Sequence, residues 1–386
     1  MLICADQDIP DVRNAFAKLG DICLLPNDGI TRKAVANATI VLVRSQTKVD
    51  RSLLQGSNVR FVASATAGID HVDQDYLRKA GIGFAHAPGS NANSVAEYVL
   101  AALLCLSRRR REPLSGKRIG IVGVGQVGSR VARFCQALGM HVLLNDPPKQ
   151  RQTHSASFLP LRHLLEADFI TLHVPLTHSG PDATYHLFDR DRLAELSRKS
   201  VLLNTSRGAV VETNALKQLL QNKMLGGAVI DVWENEPEID LALLRQVDIA
   251  TPHIAGYSWD GKRRGTGMIL QATRKFFGIK PAAAAILTSD QLPSLSRQAP
   301  PRCPDDAFLE NLLKKFYDIE QDDARLRRIE LLPRHEHEDY FRKLRRDYPC
   351  RREFGARQIE LAGKNSDVAS QLTALGFSVT VCERGA

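Results

Sequence analysis

Cysteine is scarce in this chain. Its 386 residues include 7, at Cys4, Cys23, Cys105, Cys135, Cys303, Cys350 and Cys382, and no two of them form a CxxC pair. That excludes a disulfide framework and a zinc site built on paired thiolates, and it points to a reducing compartment, the cytoplasm. Cys350 and Cys382 are near enough in the tail to pair, but nothing in the spacing requires it. No metal site is expected. No apolar run approaches the length of a membrane span. The first residues, MLICADQDIP, lack a basic n-region and reach an acid at Asp6, so no secretory signal is expected. Aromatic residues are 6% of the chain, and no basic stripe carries interleaved aromatics. That leaves nucleic acid without a recognisable binding motif. Charge is in excess on one side, with a formal net of +9. The basic clusters at Arg108–Arg111, Lys262–Arg264, 327–328 and near 345 are dispersed. They read either as solvated faces or as attraction for a multiply anionic substrate.

Residues 119–128 read IGIVGVGQVG. An apolar strand, Ile119 to Val122, runs into Gly123, Gly125 and Gly128. A helical stretch follows, Ser129 to Leu138, then a second apolar strand, His141 to Leu144, and then Asp146. This is strand, glycine turn, helix, strand, acid. Gly123 permits the tight turn, Gly125 lets backbone approach a pyrophosphate, and Gly128 lets helix and strand pack closely. The helix N-terminus offers unpaired N–H groups to phosphates. Asp146 falls where an acid takes the ribose hydroxyls of NAD and repels the 2′-phosphate of NADP. The pattern predicts a dinucleotide-binding domain with NAD as cofactor.

The length suggests two or three domains. The first segment reads as a small α/β unit. Strands fall at Leu2–Ala5, Ile22–Leu25, Thr39–Val43 and Val59–Ala63, and helical stretches, among them Val12–Leu19, lie between them. Asn93 to Leu106 is helical and apolar nearly all round, which marks a buried helix. Glu97 within it either bridges a local site or is a satisfied interface charge. The cofactor domain continues with helices at Phe158–Glu166, Arg190–Leu196 and Thr213–Gln221. Its further strands are Phe169–His173, Val201–Asn204, Gly227–Asp231 and Asp248–Ala250. Strands alternating with helices predict parallel sheets. A helix at Lys262–Phe277 is expected to return to the first unit. Residues 291–304 read as a Pro/Ser-rich connector. Beyond them lie helices at Ala307–Tyr317, Asp322–Leu332, Tyr340–Arg345 and Ser366–Leu375, with strands at Ile359–Leu361 and Phe377–Val381. The tail carries no cofactor or metal motif, so assembly is its expected use.

Ligands of such folds sit beyond the carboxyl ends of the strands. Arg207, Glu236 and His253 lie there, after three different strands. Arg207, in NTSRGAVV, has a planar fork suited to a carboxylate, although a capping or surface arginine is the alternative. His253, in TPHIAG, is able to accept a proton from an alcohol near neutral pH, or to be a hydrogen-bonded structural histidine. Glu236 is placed to hold the other ring nitrogen, or is a plain loop carboxylate.

Taken together, GVGQVG, HVPLT, NTSRGAVV, DVWENEP and TPHIAG resemble the motifs of the D-isomer-specific 2-hydroxyacid dehydrogenases. The resemblance covers about residues 40 to 280. It implies an α/β fold with a Rossmann-type NAD-binding domain (93–255) and a flavodoxin-like substrate domain (1–92 and 256–285). It makes Arg207 the carboxylate clamp, His253 the acid/base and Glu236 its partner. A closer similarity, carried by RSQTKVD, SATAGIDHVD, TPHIAGYSWDGKRRGT and the tail, is to a branch of that family acting on a four-carbon sugar-acid phosphate in pyridoxine 5′-phosphate synthesis. That branch implies an extra C-terminal α+β dimerisation domain (286–386) and a homodimer, with a 2-oxo acid as a possible recycling acceptor. Substrate contacts carried over are Ser45, Thr66 and Tyr257. Cofactor contacts are Gly123, Gly125, Gln126, Val127, Gly128, Asp146, Pro175, Thr205, Ser206, Arg207, Asp231 and Gly256. Two anionic substrate ends require a second basic site besides Arg207. Arg44 with Ser45, or Lys262–Arg264, are candidates, and Arg44 is as well placed to pair with a nearby acid. The alternatives are another 2-hydroxyacid dehydrogenase, such as one acting on phosphoglycerate, and a non-catalytic NAD-sensing protein.

Overall fold

A computed structural model of the chain describes residues 1–280, 295–298, 305–362 and 366–382. The chain divides into two compact units, Met1–Asn91 with Ser258–Gln291, and Ala92–Tyr257 with Leu292–Ala386. The tail thus clusters with the glycine-motif segment. No helix among the described residues is long and apolar enough to cross a membrane.

The first unit is a five-stranded parallel sheet of β1 (Leu2–Asp6), β2 (Asp21–Leu25), β3 (Ile40–Val43), β4 (Phe61–Ser64) and β5 (Gly83–His86), in the order β2-β1-β3-β4-β5. This is the flavodoxin-like strand order. The central strands β3 and β4 are buried along their whole length, as parallel strands covered on both faces must be. The returning helix, Trp259–Phe276, packs Ile269 and Leu270 into the same core as Ile3, Leu42 and Phe61. Two details depart from the sequence pattern. The helix expected over Val12–Leu19 ends at Phe16. The β5 strand, GFAH, is only half-buried and has too short a pattern to stand out.

The second unit carries a six-stranded parallel sheet of β6 (Arg118–Val122), β7 (His141–Asn145), β8 (Phe169–Leu172), β9 (Val201–Asn204), β10 (Gly227–Ile230) and β11 (Ile249–Ala250), ordered β11-β10-β9-β8-β6-β7. The order reverses between β6 and β8, and that reversal opens a crevice at their carboxyl ends. A third, parallel sheet in the tail has the order β12 (Leu295–Gln298), β13 (Gln358–Ala362), β14 (Ser378–Cys382). The fold is a Rossmann-type domain with parallel sheets and a separate C-terminal α+β segment, as expected.

Two local expectations fail, and one element was not foreseen. Phe158–Glu166 is not a helix. Pro160 breaks it, Phe158 pairs with Leu144 as an isolated bridge, and only a 3₁₀ turn forms at Leu161–His163. Residues 295–298 of the presumed connector form β12, recruited by pairing with β13. The rest of that connector lies outside the described residues. A helix not foreseen, Pro147–Thr153, starts directly after Asp146.

The helix Ala92–Arg110 is buried from Val95 through Ser107. It is covered on one side by the sheet, through Ile119 and Val229, and on another by the tail, through Leu309, Leu312, Leu313 and Phe354. Glu97 is 2% exposed and is an interface charge. Arg351 of the tail donates to its Oε2 at 3.1 Å, and the Phe354 N–H donates to its Oε1 at 2.8 Å. Burial pushes its carboxyl up, to about 8, against the opposing pull of Arg351.

Candidate active site

The glycine turn meets each steric requirement set out above. Gly123 has φ +86°, and a Cβ there would lie 2.7 Å from the His173 carbonyl oxygen. A Cβ on Gly128 would lie 2.1 Å from the Gly123 carbonyl oxygen. Gly125 is exposed, with nothing within 4 Å of a would-be Cβ. It is the N-cap of the helix Gln126–Ala137 and supplies no side-chain cap to it. Open space at Gly125, at the head of a helix with no side-chain cap, suits a pyrophosphate. The residues present therefore fit a dinucleotide.

Asp146 is engaged on both oxygens. Its Oδ2 accepts from the Val124 N–H at 2.9 Å and its Oδ1 from the Lys149 N–H at 3.0 Å. It thus ties the end of β7 to the glycine turn and caps the helix Pro147–Thr153. Each carboxylate oxygen has more than one acceptor direction, so these bonds leave capacity for ribose hydroxyls. Lys149 turns back to donate to the Val124 carbonyl at 2.9 Å. Pro175 is exposed beyond β8. His173 hydrogen-bonds with Thr171 at 3.0 Å and with Thr205 at 3.3 Å, and burial lowers its pKa to about 3, so the ring is neutral.

After β9, the side chain of Asn204 shapes the loop that carries Arg207. Its Oδ1 accepts from the Ser206 N–H and hydroxyl, and its Nδ2 donates to the Arg207 carbonyl. Arg207 is half-buried, with Nη1 donating to the Ser206 carbonyl at 2.7 Å. A Cβ on Gly208 would fall 2.0 Å from the Trp233 carbonyl carbon. The glycine is what lets the Arg207 loop lie directly on the backbone of the loop that leads to Glu236.

The third loop is built around Asp231, which is 1% exposed. Its Oδ1 accepts from the Thr251 hydroxyl at 2.6 Å and the Ile254 N–H at 2.8 Å, and its Oδ2 accepts from the Ala255 N–H at 3.0 Å. The His253 N–H donates to the Asp231 carbonyl at 2.7 Å. Burial raises the Asp231 carboxyl, while His253 and these donors pull the other way. His253 itself sits at φ +56°, in the left-handed region that a histidine enters only when its surroundings dictate it. Its Nδ1 hydrogen-bonds with Glu236 Oε1. Burial acts to raise the Glu236 carboxyl, but His253 and the guanidinium of Arg345 outweigh it and hold the group below its usual range. An ionised carboxylate on Nδ1 fixes the ring tautomer and leaves Nε2 as the basic nitrogen. Glu236 and His253 are thus brought together, and the Arg207 loop is packed against the loop that carries Glu236.

Gly256 follows, and then Tyr257, whose ring lies against the tail. Tyr348 meets it edge-on at 5.7 Å between centroids, and the Arg345 guanidinium lies 5.9 Å from its centroid. In the first unit, Ser45 is exposed after β3. Thr66 follows β4, donating to the Gly68 carbonyl at 2.9 Å and sharing a hydrogen bond with Ser64. Since β3 and β4 are adjacent parallel strands, both residues lie at one sheet edge. Arg44 takes the alternative left open for it and pairs with Asp6 and Asp8. Arg263 pairs with Asp11, and Arg264 donates to the Ser90 carbonyl.

The basic cluster near 345 was open to either a solvated face or an anion, and Tyr348 carried no reading of its own. The signal was their phase: Tyr340, Phe341, Leu344, Arg345 and Tyr348 fall on one helical stripe. The cross-braces Tyr98–Thr251 and Trp233–Thr251, which hold the histidine loop from behind, carried no motif at all.

Residues 105–255 match the family described as D-isomer specific 2-hydroxyacid dehydrogenase, NAD binding domain. Residues 290–376 match a Domain of unknown function (DUF3410). The chain is 47% identical to the erythronate-4-phosphate dehydrogenase of Salinibacter ruber, over 91% of this chain and 92% of that one. It is 43% identical to the enzyme of the same name from Chromohalobacter salexigens, over 100% of both chains. The crystal structure of D-lactate dehydrogenase from Aquifex aeolicus, complexed with NAD and lactic acid, is similar with a TM-score of 0.60 and 25% identity, over 73% of this chain and 100% of that one. The chain belongs to the D-isomer-specific 2-hydroxyacid dehydrogenase family, in its erythronate-4-phosphate dehydrogenase group.

Proposed function

We propose that the protein oxidises 4-phospho-D-erythronate to (R)-3-hydroxy-2-oxo-4-phosphooxybutanoate with NAD, a step of pyridoxine 5′-phosphate synthesis. The observation that carries the reading is the His253–Glu236 pair on a loop held by Asp231, beside the Arg207 loop. Arg207 grips the substrate carboxylate with its two-pronged guanidinium and orients the C2 alcohol. His253 Nε2 takes the hydroxyl proton, and Glu236 stabilises the imidazolium that forms. Bound NAD supplies the hydride acceptor. The turn at Gly123, Gly125 and Gly128, with Gln126 and Val127, is suited to holding the pyrophosphate, and Asp146 the ribose. Pro175, Thr205, Ser206, Asp231 and Gly256 belong to the cofactor-facing loops in this reading. Ser45, Thr66 and Tyr257 contact the substrate.

We further propose a cytoplasmic homodimer assembled through the tail, with a 2-oxo acid as recycling acceptor. In support of assembly, β14 is an edge strand whose Val381 is 40% exposed, and Leu331 is 83% exposed. The purified protein is to be offered 4-phospho-D-erythronate, 3-phosphoglycerate and D-lactate, with and without 2-oxoglutarate. Preferred oxidation of the first supports the reading. Preferred oxidation of either other acid assigns a different member of the family, and no turnover of any acid favours a sensor.

A further inference from the structure

We infer that Arg345, on the tail helix His337–Arg346, is a specificity-determining residue that binds the phosphate end of the substrate beside the histidine loop. The inference rests on the function proposed above, in which the substrate has two anionic ends. Arg207 holds the carboxylate, so the phosphate needs another cation. The three candidate arginines of the loop after β3 and of the returning helix are engaged elsewhere. Arg44 is bound to Asp6 at 3.1 Å and to Asp8 at 2.6 Å, and Arg263 to Asp11 at 2.8 Å. Arg264 spends a donor on a backbone carbonyl.

Arg345 is placed differently. Its side chain packs over Tyr257, with the guanidinium carbon 5.9 Å from the ring centroid. Its electrostatic partners are Tyr257, Glu236 and Asp231, which are the substrate-contact candidate, the histidine's partner and the anchor of the histidine loop. Among the described residues it joins no ion pair within 4.0 Å; its guanidinium shares a hydrogen bond with the Tyr257 side chain, while its Nε is buried without a hydrogen-bond partner. A guanidinium withdrawn from water with a donor unfilled carries a cost that a bound anion would offset. Its planar fork matches a phosphate. The position is also fixed in advance. Phe341, one turn earlier on the same helix, is fully buried, and Tyr348 braces Tyr257 edge-on while donating to Asp322 at 2.6 Å.

The distribution of the tail agrees. The Chromohalobacter enzyme, named for a phosphorylated acid, spans this chain completely. The Aquifex protein, solved with lactic acid, is matched over its whole length by 73% of this chain. Lactic acid has one anionic end and gives a tail-borne cation nothing to hold.

The test is the ratio of kcat/KM for 4-phospho-D-erythronate to that for D-erythronate, measured for wild type, Arg345→Gln and Arg345→Lys. A hydrogen bond to a charged group contributes about 1.5–3 kcal/mol, so the glutamine variant should shrink the ratio by roughly 10- to 150-fold, mainly through KM. The lysine variant keeps the charge and the packing stem and should shrink it less. It decides the matter if the glutamine protein fails to fold. An unchanged ratio overturns the inference, and so does an equal fall for both substrates, which would make Arg345 a support for Glu236 instead. Wild type that oxidises neither erythronate compound would remove the parent reading, whereas normal wild-type turnover with unchanged ratios removes only this one.

Discussion

His253 holds a backbone conformation that costs a non-glycine residue of order 1–3 kcal/mol, and Asp231 is what sustains it. Three backbone N–H groups in succession, from His253 to Ala255, close onto that one residue. The ring therefore arrives with Nδ1 on Glu236 and Nε2 as its base. His253→Ala should lower turnover by roughly 10²–10⁴-fold, as expected for loss of a general base, while NAD binding is kept. Turnover within about threefold of wild type would remove the assignment. His253, Glu236 and Arg207 were legible as reactive residue types placed just after apolar strands. The hold of Asp231 was not, because a buried carboxylate bonding to backbone leaves no pattern in neighbouring side chains. Arg345 was not singled out, since a basic run reads equally as a solvated face or as an anion site until the helix is known to be covered.

At the scale of elements, short-range rules worked where one residue type has one steric reason. Gly123, Gly125 and Gly128 could be assigned separate tasks before any coordinates, and each task has its own contact or its own empty space. They failed where pairing overrides local composition. A strand formed inside the Pro/Ser-rich stretch because β13 offered an edge, and Pro160 undid a helix that hydropathy favoured. Asp146 joins two elements, so its replacement has two effects. Asp146→Ala should narrow the preference for NAD over NADP, read by titrating both cofactors. It should also lose a helix cap that contributes about 0.5–2 kcal/mol, read by urea denaturation. A preference for NAD that survives intact would contradict the ribose role. The helix Ala92–Arg110 presents a different case. Glu97→Ala would strip the buried Arg351 guanidinium and the Phe354 N–H of the carboxyl they share, and removing one partner of such a buried pair costs about 3–5 kcal/mol. Thermal unfolding with an unchanged midpoint would show that the Ser94 and Ala255 carbonyls satisfy Arg351 without Glu97.

On the scale of the whole molecule, alternation of strands and helices was enough to predict two parallel α/β sheets, because that pattern admits few topologies. It could not say where the tail would lie. The tail buries Leu309, Leu312 and Leu313 in the same core as Leu103 and Ile119, so it is part of the second unit's interior and not a pendant. Truncation after about residue 285 should therefore uncover the long helix and yield aggregates, whereas the full chain should run as the proposed dimer in light scattering. A truncated protein that remains a stable dimer at low micromolar concentration would show that neither assembly nor the core depends on the tail.

The loop from Thr251 to Ala255 is tied to a buried acid from one side, and on the other Arg351 reaches its Ala255 carbonyl at 3.4 Å. A segment so pinned does not adapt its shape to whatever binds beside it. For inhibitor chemistry this makes it a hard template. Compounds would gain selectivity by conforming to that fixed wall, and resistance by loop remodelling would first have to dismantle the architecture that holds His253.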